Sequence, residues 1–243
     1  MEYKIISGSV VEVRQSRMPA TRQSALPKRR GIRVKGNSSL RKIQANEQDA
    51  VKRLARILNC NFKAGDLWVT LRYSDDRLPE TEEEAKAIAA KFLRKAKAML
   101  KKEGKELRYV MTTSCTRPAS GEKARLHHHI VMDAVSWEAM QKLWPDNEFT
   151  YRRLDNRKDY TGIARYMIEN ASKEDGKRRW SPSKNLKKPI YTEPIPVKLK
   201  EKIRVPAGAN IRENVEQMDE ESGLVRRYVR YVSPPKPISR RRI

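Results

Sequence analysis

Three consecutive residues, His127, His128 and His129, are the only histidines in this chain of 243 residues. They lie in the segment RLHHHIVMD (125–133), whose composition predicts a strand. Because neighbouring side chains of a strand point to opposite faces, His127 and His129 share one face and His128 points to the other. Two imidazoles on one face suit a divalent cation, with further positions left for a carboxylate, water or a phosphate oxygen. The pattern predicts a metal site at His127 and His129 and a semi-buried, hydrogen-bonded His128; the alternative is a polar pair on a solvated face.

A tyrosine is the second candidate for chemistry. Tyr166 lies in TGIARYMIENASK (161–173), where apolar spacing predicts a helix whose polar face carries Tyr166, Asn170 and Lys173. A phenol ionises near pH 10, about three units above neutrality, so it needs a nearby cation or base to act as a nucleophile. Tyr160 lies on a different face near the helix start and is a second candidate. The alternative for either tyrosine is an aromatic anchor that packs the helix.

The charge of the chain indicates its partner. Lys and Arg number 54 against 30 Asp and Glu, for a formal net charge of +24. Such an excess favours a polyanion, and nucleic acid is the leading candidate. No apolar run is long enough to span a membrane, no signal peptide is visible, and Cys60 and Cys115 show no CxxC spacing. We therefore expect a cytoplasmic protein in a reducing compartment, without a membrane partner, a zinc ribbon or a disulfide framework.

Basic residues near aromatic ones are candidates for contacts with single strands, since cations follow phosphates and aromatic faces stack on bases. The predicted nucleic-acid contacts are Arg72, Arg165, Arg178, Arg179, Trp180 and Lys184. VRRYVRYV (225–232) fits such a surface equally well as it fits an ordinary strand with inward aromatics. The terminal PPKPISRRRI (234–243) is predicted to be a disordered electrostatic tail.

The elements that must position these residues alternate between helix and strand patterns. AVKRLARILNCNF (50–62) and the segment after the capping box Thr81–Glu84 predict helices, and GDLWVTLRY (65–73) predicts a strand. LRYVMTTS (107–114) and RLHHHIVMD (125–133) predict an antiparallel hairpin. Two shorter helices are predicted, one capped by Ser136 and running to Trp144, the other starting at Asp159 or Thr161. The expected fold class is α+β, an antiparallel sheet flanked by helices.

Charge and composition also predict three regions along the chain. Residues 1–45 are expected to form a basic N-terminal arm, solvated and in contact with phosphates. Residues 46–175 are expected to form the main domain. Residues 176–243 are expected to form a basic C-terminal extension.

The chain resembles the HUH-type rolling-circle replication initiators, the Rep endonucleases of phages, plasmids and related mobile elements. The metal motif matches at His127-His128-His129, with His128 in place of the usual hydrophobic residue. LWVTLRY (67–73) is similar to the first motif of that family, and IARYMIEN (163–170) is similar to its tyrosine motif. Segments such as WPDNEFTYRRLDNRKDYTGIARYM and RRWSPSKNLKKP resemble the phage-type members, so the likeness covers residues 44 to 190.

This resemblance implies an RRM-like core with the metal-binding strand at its centre and the tyrosine on an adjacent helix. It also implies a DNA endonuclease and strand transferase that uses Mg²⁺ or Mn²⁺. Tyr166 would attack single-stranded DNA at a replication origin, leaving a 5′-phosphotyrosine and a 3′-hydroxyl for a polymerase, and the link could be rejoined without ATP. The chain has no GxxxxGK[ST] phosphate loop, so unwinding is expected from a host helicase.

Two positions depart from the pattern of that family. Glu169 stands where a lysine is common, and Lys173 is the expected substitute. Ser114 stands where an acidic third metal ligand is common, and four carboxylates are candidates to replace it: Asp66, Asp75, Asp76 and Glu122. These departures keep a second hypothesis open, a related protein that binds single-stranded nucleic acid without cutting it. One or two catalytic tyrosines also remain open.

Overall fold

The protein is an α+β chain that divides into two compact units, Ala45–Lys187 and Met1–Gln44 with Lys188–Ile243. The computed structural model describes residues 1–17, 40–116, 125–145, 148–156, 158–172, 179–198, 202–218 and 224–234. The strands are β1 (Glu2–Ser7), β2 (Val10–Arg17), β3 (Leu67–Arg72), β4 (Tyr109–Thr116), β5 (Arg125–Met132), β6 (Phe149–Arg153), β7 (Ser181–Pro182), β8 (Ile190–Tyr191), β9 (Asn210–Met218) and β10 (Val225–Val232). The helices are α1 (Leu40–Asn61), α2 (Glu82–Lys102), α3 (Trp137–Leu143) and α4 (Thr161–Asn170).

The unit Ala45–Lys187 is built on one antiparallel sheet with strand order β6-β3-β5-β4-β7. The histidine strand β5 is its central strand and pairs with β3 on one side and β4 on the other. Apolar residues of α2 and α3 pack on one face, and apolar residues of α1 and α4 pack on the other. The predicted antiparallel sheet flanked by helices is therefore confirmed.

Strand alternation separates the two cores of this unit. Leu67, Val69 and Leu71 of β3 face α2 and α3 and are fully buried. Trp68 faces the opposite side and packs against the core that α1 and α4 form with Val131. Burying a side chain of this size contributes about 1.5–3 kcal/mol, so both apolar faces fix the register of β3.

Side-chain hydrogen bonds lie at the start of three of the helices. The Thr81 hydroxyl accepts a hydrogen bond from the Glu84 amide, and the Ser136 hydroxyl accepts one from the Ala139 amide. Both interactions satisfy amides that the first turn of a helix leaves without a partner. Before α4, the Asp159 carboxylate accepts from both the amide and the hydroxyl of Thr161. These helix starts confirm the predictions made from the capping residues.

The unit Met1–Gln44 with Lys188–Ile243 contains a second five-stranded antiparallel sheet, in the order β8-β1-β2-β10-β9. Val11, Val13, Val229 and Tyr231 form its buried cluster. The structure thus differs from the predicted basic arm and extension, because β2 pairs with β10 along its whole length. VRRYVRYV is the strand β10. The rest of the predicted arm, residues 18–39, and all but the first residue of the predicted tail lie outside the described residues.

The described helices were also compared with the requirements of a membrane span. None of them combines the length and the apolar character that crossing a bilayer requires.

Candidate active site

The predicted pair of histidines lies on one face of the sheet, in the middle of its three longest-paired strands. His129 is directly opposite Thr70 of β3 and Thr112 of β4, and His127 is opposite Arg72 and Ser114. The His127 and His129 ring centroids are 4.9 Å apart. Directly opposed residues of an antiparallel pair bring their Cβ atoms within about 4.5–5.5 Å of each other. The face therefore gathers two imidazoles, three hydroxyls and a guanidinium.

His128 points to the other face, as strand alternation predicts. It is fully buried, and its Nε2 lies 2.8 Å from the Tyr73 hydroxyl while its Nδ1 lies 3.1 Å from the Thr113 hydroxyl. Burial lowers the pKa of His128 to about 3, and His127 adds to that shift. The prediction that His128 is a satisfied residue rather than a metal ligand agrees with this placement.

Both imidazoles of the pair are neutral at pH 7. Burial, then His127 and Arg72, lower the pKa of His129 to about 4. Burial also lowers the pKa of His127, and Arg72 contributes to the shift. A neutral imidazole keeps the ring-nitrogen lone pair that a metal ion requires.

Tyr166 on α4 comes close to this pair. Its side chain is 48 % exposed, and its ring lies edge-on to His129 with centroids 5.0 Å apart. Trp68 stacks on His129 at 5.4 Å with an angle of 7° between the rings and meets Tyr166 edge-on at 5.9 Å. The opposite face of α4 buries Ala164, Met167 and Ile168, which fixes the rotation of the helix. Tyr166 is thus presented to the histidines and to solvent together.

Three buried polar atoms on this face have no hydrogen-bond partner among the described residues: His129 Nε2, Thr112 Oγ1 and Ser114 Oγ. His129 Nδ1 is within 3.1 Å of the Thr70 hydroxyl, so only Nε2 is left without a partner. An unpaired buried polar atom costs about 1–3 kcal/mol, and such atoms are rare in native proteins. A ligand that meets these atoms would remove that cost.

The residues suit a metal ion in part. Within the described ranges, no group of three or more His, Cys, Asp and Glu side chains is arranged to hold an ion. Asp66 accepts from the Lys63 amide beyond the far end of β3, while Asp75 pairs with Arg125 and Asp76 with Arg77. Glu122 lies outside the described residues. The donor set on the page is two imidazoles with neighbouring hydroxyls, and water or a substrate phosphate would have to supply the remaining oxygens.

The second tyrosine is not brought to this face. Tyr160 is 4 % exposed and belongs to the core between the sheet, α1 and α4. Its hydroxyl donates to the Asp155 carbonyl, and burial, then Asp155 and Asp66, raise its pKa to about 12. These contacts fit the alternative of a packing anchor better than they fit a nucleophile.

The other predicted contacts are distributed over the surface of the unit. Arg72, Arg165 and Lys184 are exposed, Arg179 pairs with Glu47 at 3.2 Å, and Trp180 packs against the core beside α1. Lys173 and Arg178 lie outside the described residues. Of this set, Arg72 alone is opposite the candidate metal ligands among the strands described.

A cleft of about 370 Å³ adjoins Tyr166. It is lined by residues of β3, β6 and the first turns of α4: Trp68, Thr70, Arg72, Thr150, Arg152, Gly162, Ile163 and Tyr166. Sequence reasoning included Arg72 and Tyr166 and missed the contribution of Trp68, Thr150 and Arg152. Strand alternation in LWVTLRY and FTYRR was the available signal, because it puts Trp68, Thr70 and Arg72 on one face and Thr150 with Arg152 on one face.

The segment that contains the site was compared with known proteins. Residues 66–175 match the model of one family, the replication-associated protein ORF2 family. The match covers less than half of the chain but includes β3, the histidine strand and α4, and it is consistent with a Rep-type protein involved in replication. Neither a curated protein nor a solved structure gives a significant match.

Proposed function

We propose that this chain is an HUH-type nickase that cuts and rejoins single-stranded DNA to initiate rolling-circle replication. Tyr166 is the proposed nucleophile, and His127 with His129 are the proposed ligands of Mg²⁺ or Mn²⁺. The observation that carries the proposal is an exposed tyrosine 5.0 Å, between ring centroids, from a buried imidazole whose Nε2 has no partner among the described residues. The family match to a replication-associated protein adds independent support over the same residues.

The proposed reaction is a transesterification. The Tyr166 hydroxyl oxygen bonds to phosphorus, the bond from phosphorus to the 3′-oxygen breaks, and the phenolic proton leaves while the 3′-oxygen gains one. Attack by a 3′-hydroxyl on the phosphotyrosine reverses each step and restores the phosphodiester. No net bond energy is lost, so no nucleotide cofactor is required for joining.

Residues around the tyrosine have separate roles in this proposal. Arg72 carries a positive charge beside the histidines and would bind a phosphate of the strand. Trp68 contacts both His129 and Tyr166 and would hold the two rings in register. When bound at His127 and His129, a divalent ion supplies Lewis-acid stabilisation of the charge that develops on the phosphate.

A covalent-adduct assay tests the proposal. Purified protein is incubated with labelled single-stranded origin candidates and Mg²⁺ or Mn²⁺, then run on a denaturing gel. We expect a metal-dependent adduct in the wild type that is absent from Tyr166→Phe and from His127→Ala/His129→Ala. Tyr160→Phe should form the adduct, because the Tyr160 hydroxyl is occupied in the core.

The matched control is another exposed tyrosine. Tyr191 on β8 is 57 % exposed and belongs to the other unit, so Tyr191→Phe should label as the wild type does. An adduct that persists in Tyr166→Phe and disappears in Tyr160→Phe would assign the wrong nucleophile to the proposal. Loss of the adduct in both would indicate the two-tyrosine mechanism.

A second function is supported by one observation. The described residues contain no group of three metal-binding side chains, and Ser114 lies beside His127 where a carboxylate would complete one. Such a site fits a related protein that binds single-stranded nucleic acid without cutting it. Tight binding of every strand, with no adduct in either metal, would favour this function over the nickase.

A further inference from the structure

The cleft beside Tyr166 has the size and lining of a small-ligand site. Its volume of about 370 Å³ lies within the range of about 300–1,000 Å³ that such sites occupy. Trp68 and Ile163 provide apolar surface, and Thr150 provides a hydroxyl opposite Thr70. Tyr166 lies at its edge. A ligand in this cleft would therefore be next to the proposed nucleophile.

Two positive charges line the same cleft. Arg72 on β3 and Arg152 on β6 are exposed, and neither forms an ion pair with any residue that the structure describes. Arg152 is opposite Trp68 across the strands, so its guanidinium and the indole lie on the same face. Two arginines without a protein anion attract a phosphate, and an aromatic wall beside them suits a base.

Gly162 keeps the cleft open. A Cβ at this position would meet no atom within 4 Å, and its backbone does not adopt the positive φ that favours glycine. Glycine near the start of a helix costs about 0.5–1 kcal/mol relative to alanine. Neither packing nor backbone geometry therefore explains this glycine, whereas a ligand that occupies the space in front of it does.

We propose that this cleft binds one nucleotide of the single strand, the one adjoining the phosphate that Tyr166 attacks. The base lies between Trp68 and Gly162, and Arg72 and Arg152 hold the flanking phosphates. Thr150 is the polar group available to the edge of the base. This subsite rests on the proposed function for its position relative to the scissile phosphate, but binding of a nucleotide in it is measurable without any cleavage.

The test measures binding in a background that cannot react. Tyr166→Phe keeps the ring beside the cleft and removes the nucleophile, and EDTA removes divalent ions. Binding of a fluorescein-labelled oligothymidylate of about fifteen nucleotides is followed by anisotropy. Gly162→Leu fills the cleft, whereas Gly162→Ala adds only a methyl group. Arg152→Gln removes a charge from the cleft, and Arg153→Gln removes one from the same strand on its opposite face.

We expect Gly162→Leu to weaken binding by about 5-fold to 150-fold, the effect of losing one stacked base, and Gly162→Ala to change it by less than about twofold. Arg152→Gln should weaken binding and lower the salt slope by about one, whereas Arg153→Gln should leave the slope unchanged. The proposal is overturned if both members of each pair bind alike. The arginine pair decides the matter if Gly162→Leu is unfolded.

The adduct assay separates this result from the proposed function. An adduct in the wild type together with equal binding by Gly162→Leu and Gly162→Ala, and by the two arginine variants, would refute the subsite and leave the nickase. The opposite combination, weaker binding by Gly162→Leu and Arg152→Gln without any adduct, would support the subsite in a protein that binds but does not cut.

Discussion

Replacing Ser114 by aspartate should turn a weak metal site into a strong one at a cost in stability. Ser114 is 1 % exposed, its hydroxyl has no partner among the described residues, and it is opposite His127. A carboxylate at this depth is expensive without a counter-charge, by several kcal/mol, unless it takes up a proton. In EDTA, Ser114→Asp should therefore unfold at a lower temperature than the wild type.

A divalent ion should reverse that loss. The new carboxylate joins two neutral imidazoles, and a ligand that binds only the folded chain stabilises it by about 2.7 kcal/mol at a hundred times its dissociation constant. For a chain of this size, that free energy corresponds to a rise in melting temperature of about 5–10 °C. We expect Mn²⁺ to raise the melting temperature of Ser114→Asp by this amount and to bind at least about tenfold more tightly than to the wild type.

Thermal denaturation with Mn²⁺ and with EDTA measures the stability term, and isothermal titration calorimetry measures the dissociation constant. Ser114→Asn is the matched control, because it has nearly the same shape as aspartate without the charge. His129→Ala in the Ser114→Asp background should remove the added affinity. An equal response to Mn²⁺ in Ser114→Asp and Ser114→Asn would mean that Ser114 does not face the metal position, and the reasoning from strand register would be refuted.

Three further predictions concern stability. With a pKa of about 3 in the folded chain and about 6.5 when unfolded, His128 binds fewer protons in the native state, so its contribution is present above about pH 6.5 and is lost as the pH falls. Denaturant titrations in EDTA should show about 2 kcal/mol less stability at pH 5 than at pH 7 from this residue alone, and His128→Gln should depend less on pH. Thr81→Ala should cost about 1 kcal/mol in urea unfolding, because the Glu84 amide loses its cap; an unchanged midpoint would contradict this. Gly162→Ala should instead stabilise the chain by about 0.5–1 kcal/mol, and a lower melting temperature would show that the added methyl group is not accommodated.

Local sequence patterns were sufficient to predict much of the unit Ala45–Lys187. The hydroxyl caps at Thr81 and Ser136 depend on residues three positions apart, and the hairpin depends on one continuous segment. Alternation along β5 also predicted which histidines share a face. These features follow from backbone geometry that a short segment specifies by itself.

The second sheet could not be predicted in this way. Its central pairing joins β2 to β10, and Val10 is opposite Val232. No local pattern specifies a partner so distant along the chain, and basic residues spaced between valines fit both a solvated arm and a strand. The cleft at Tyr166 was missed for a related reason, since Arg152 reaches it only through pairing of β6 with β3.

The three adjacent histidines divide into two roles because the sheet has two faces. His128 is held between Tyr73 and Thr113 in the core, whereas His127 and His129 face Tyr166 and the cleft side. A slip of β5 by one residue would exchange the faces and bury His127 and His129 where only one imidazole has hydroxyl partners. The buried hydrogen bonds of His128 therefore oppose such a slip. The residue that contributes no ligand thus helps to keep the other two in position, which explains why a chain with three histidines has them side by side.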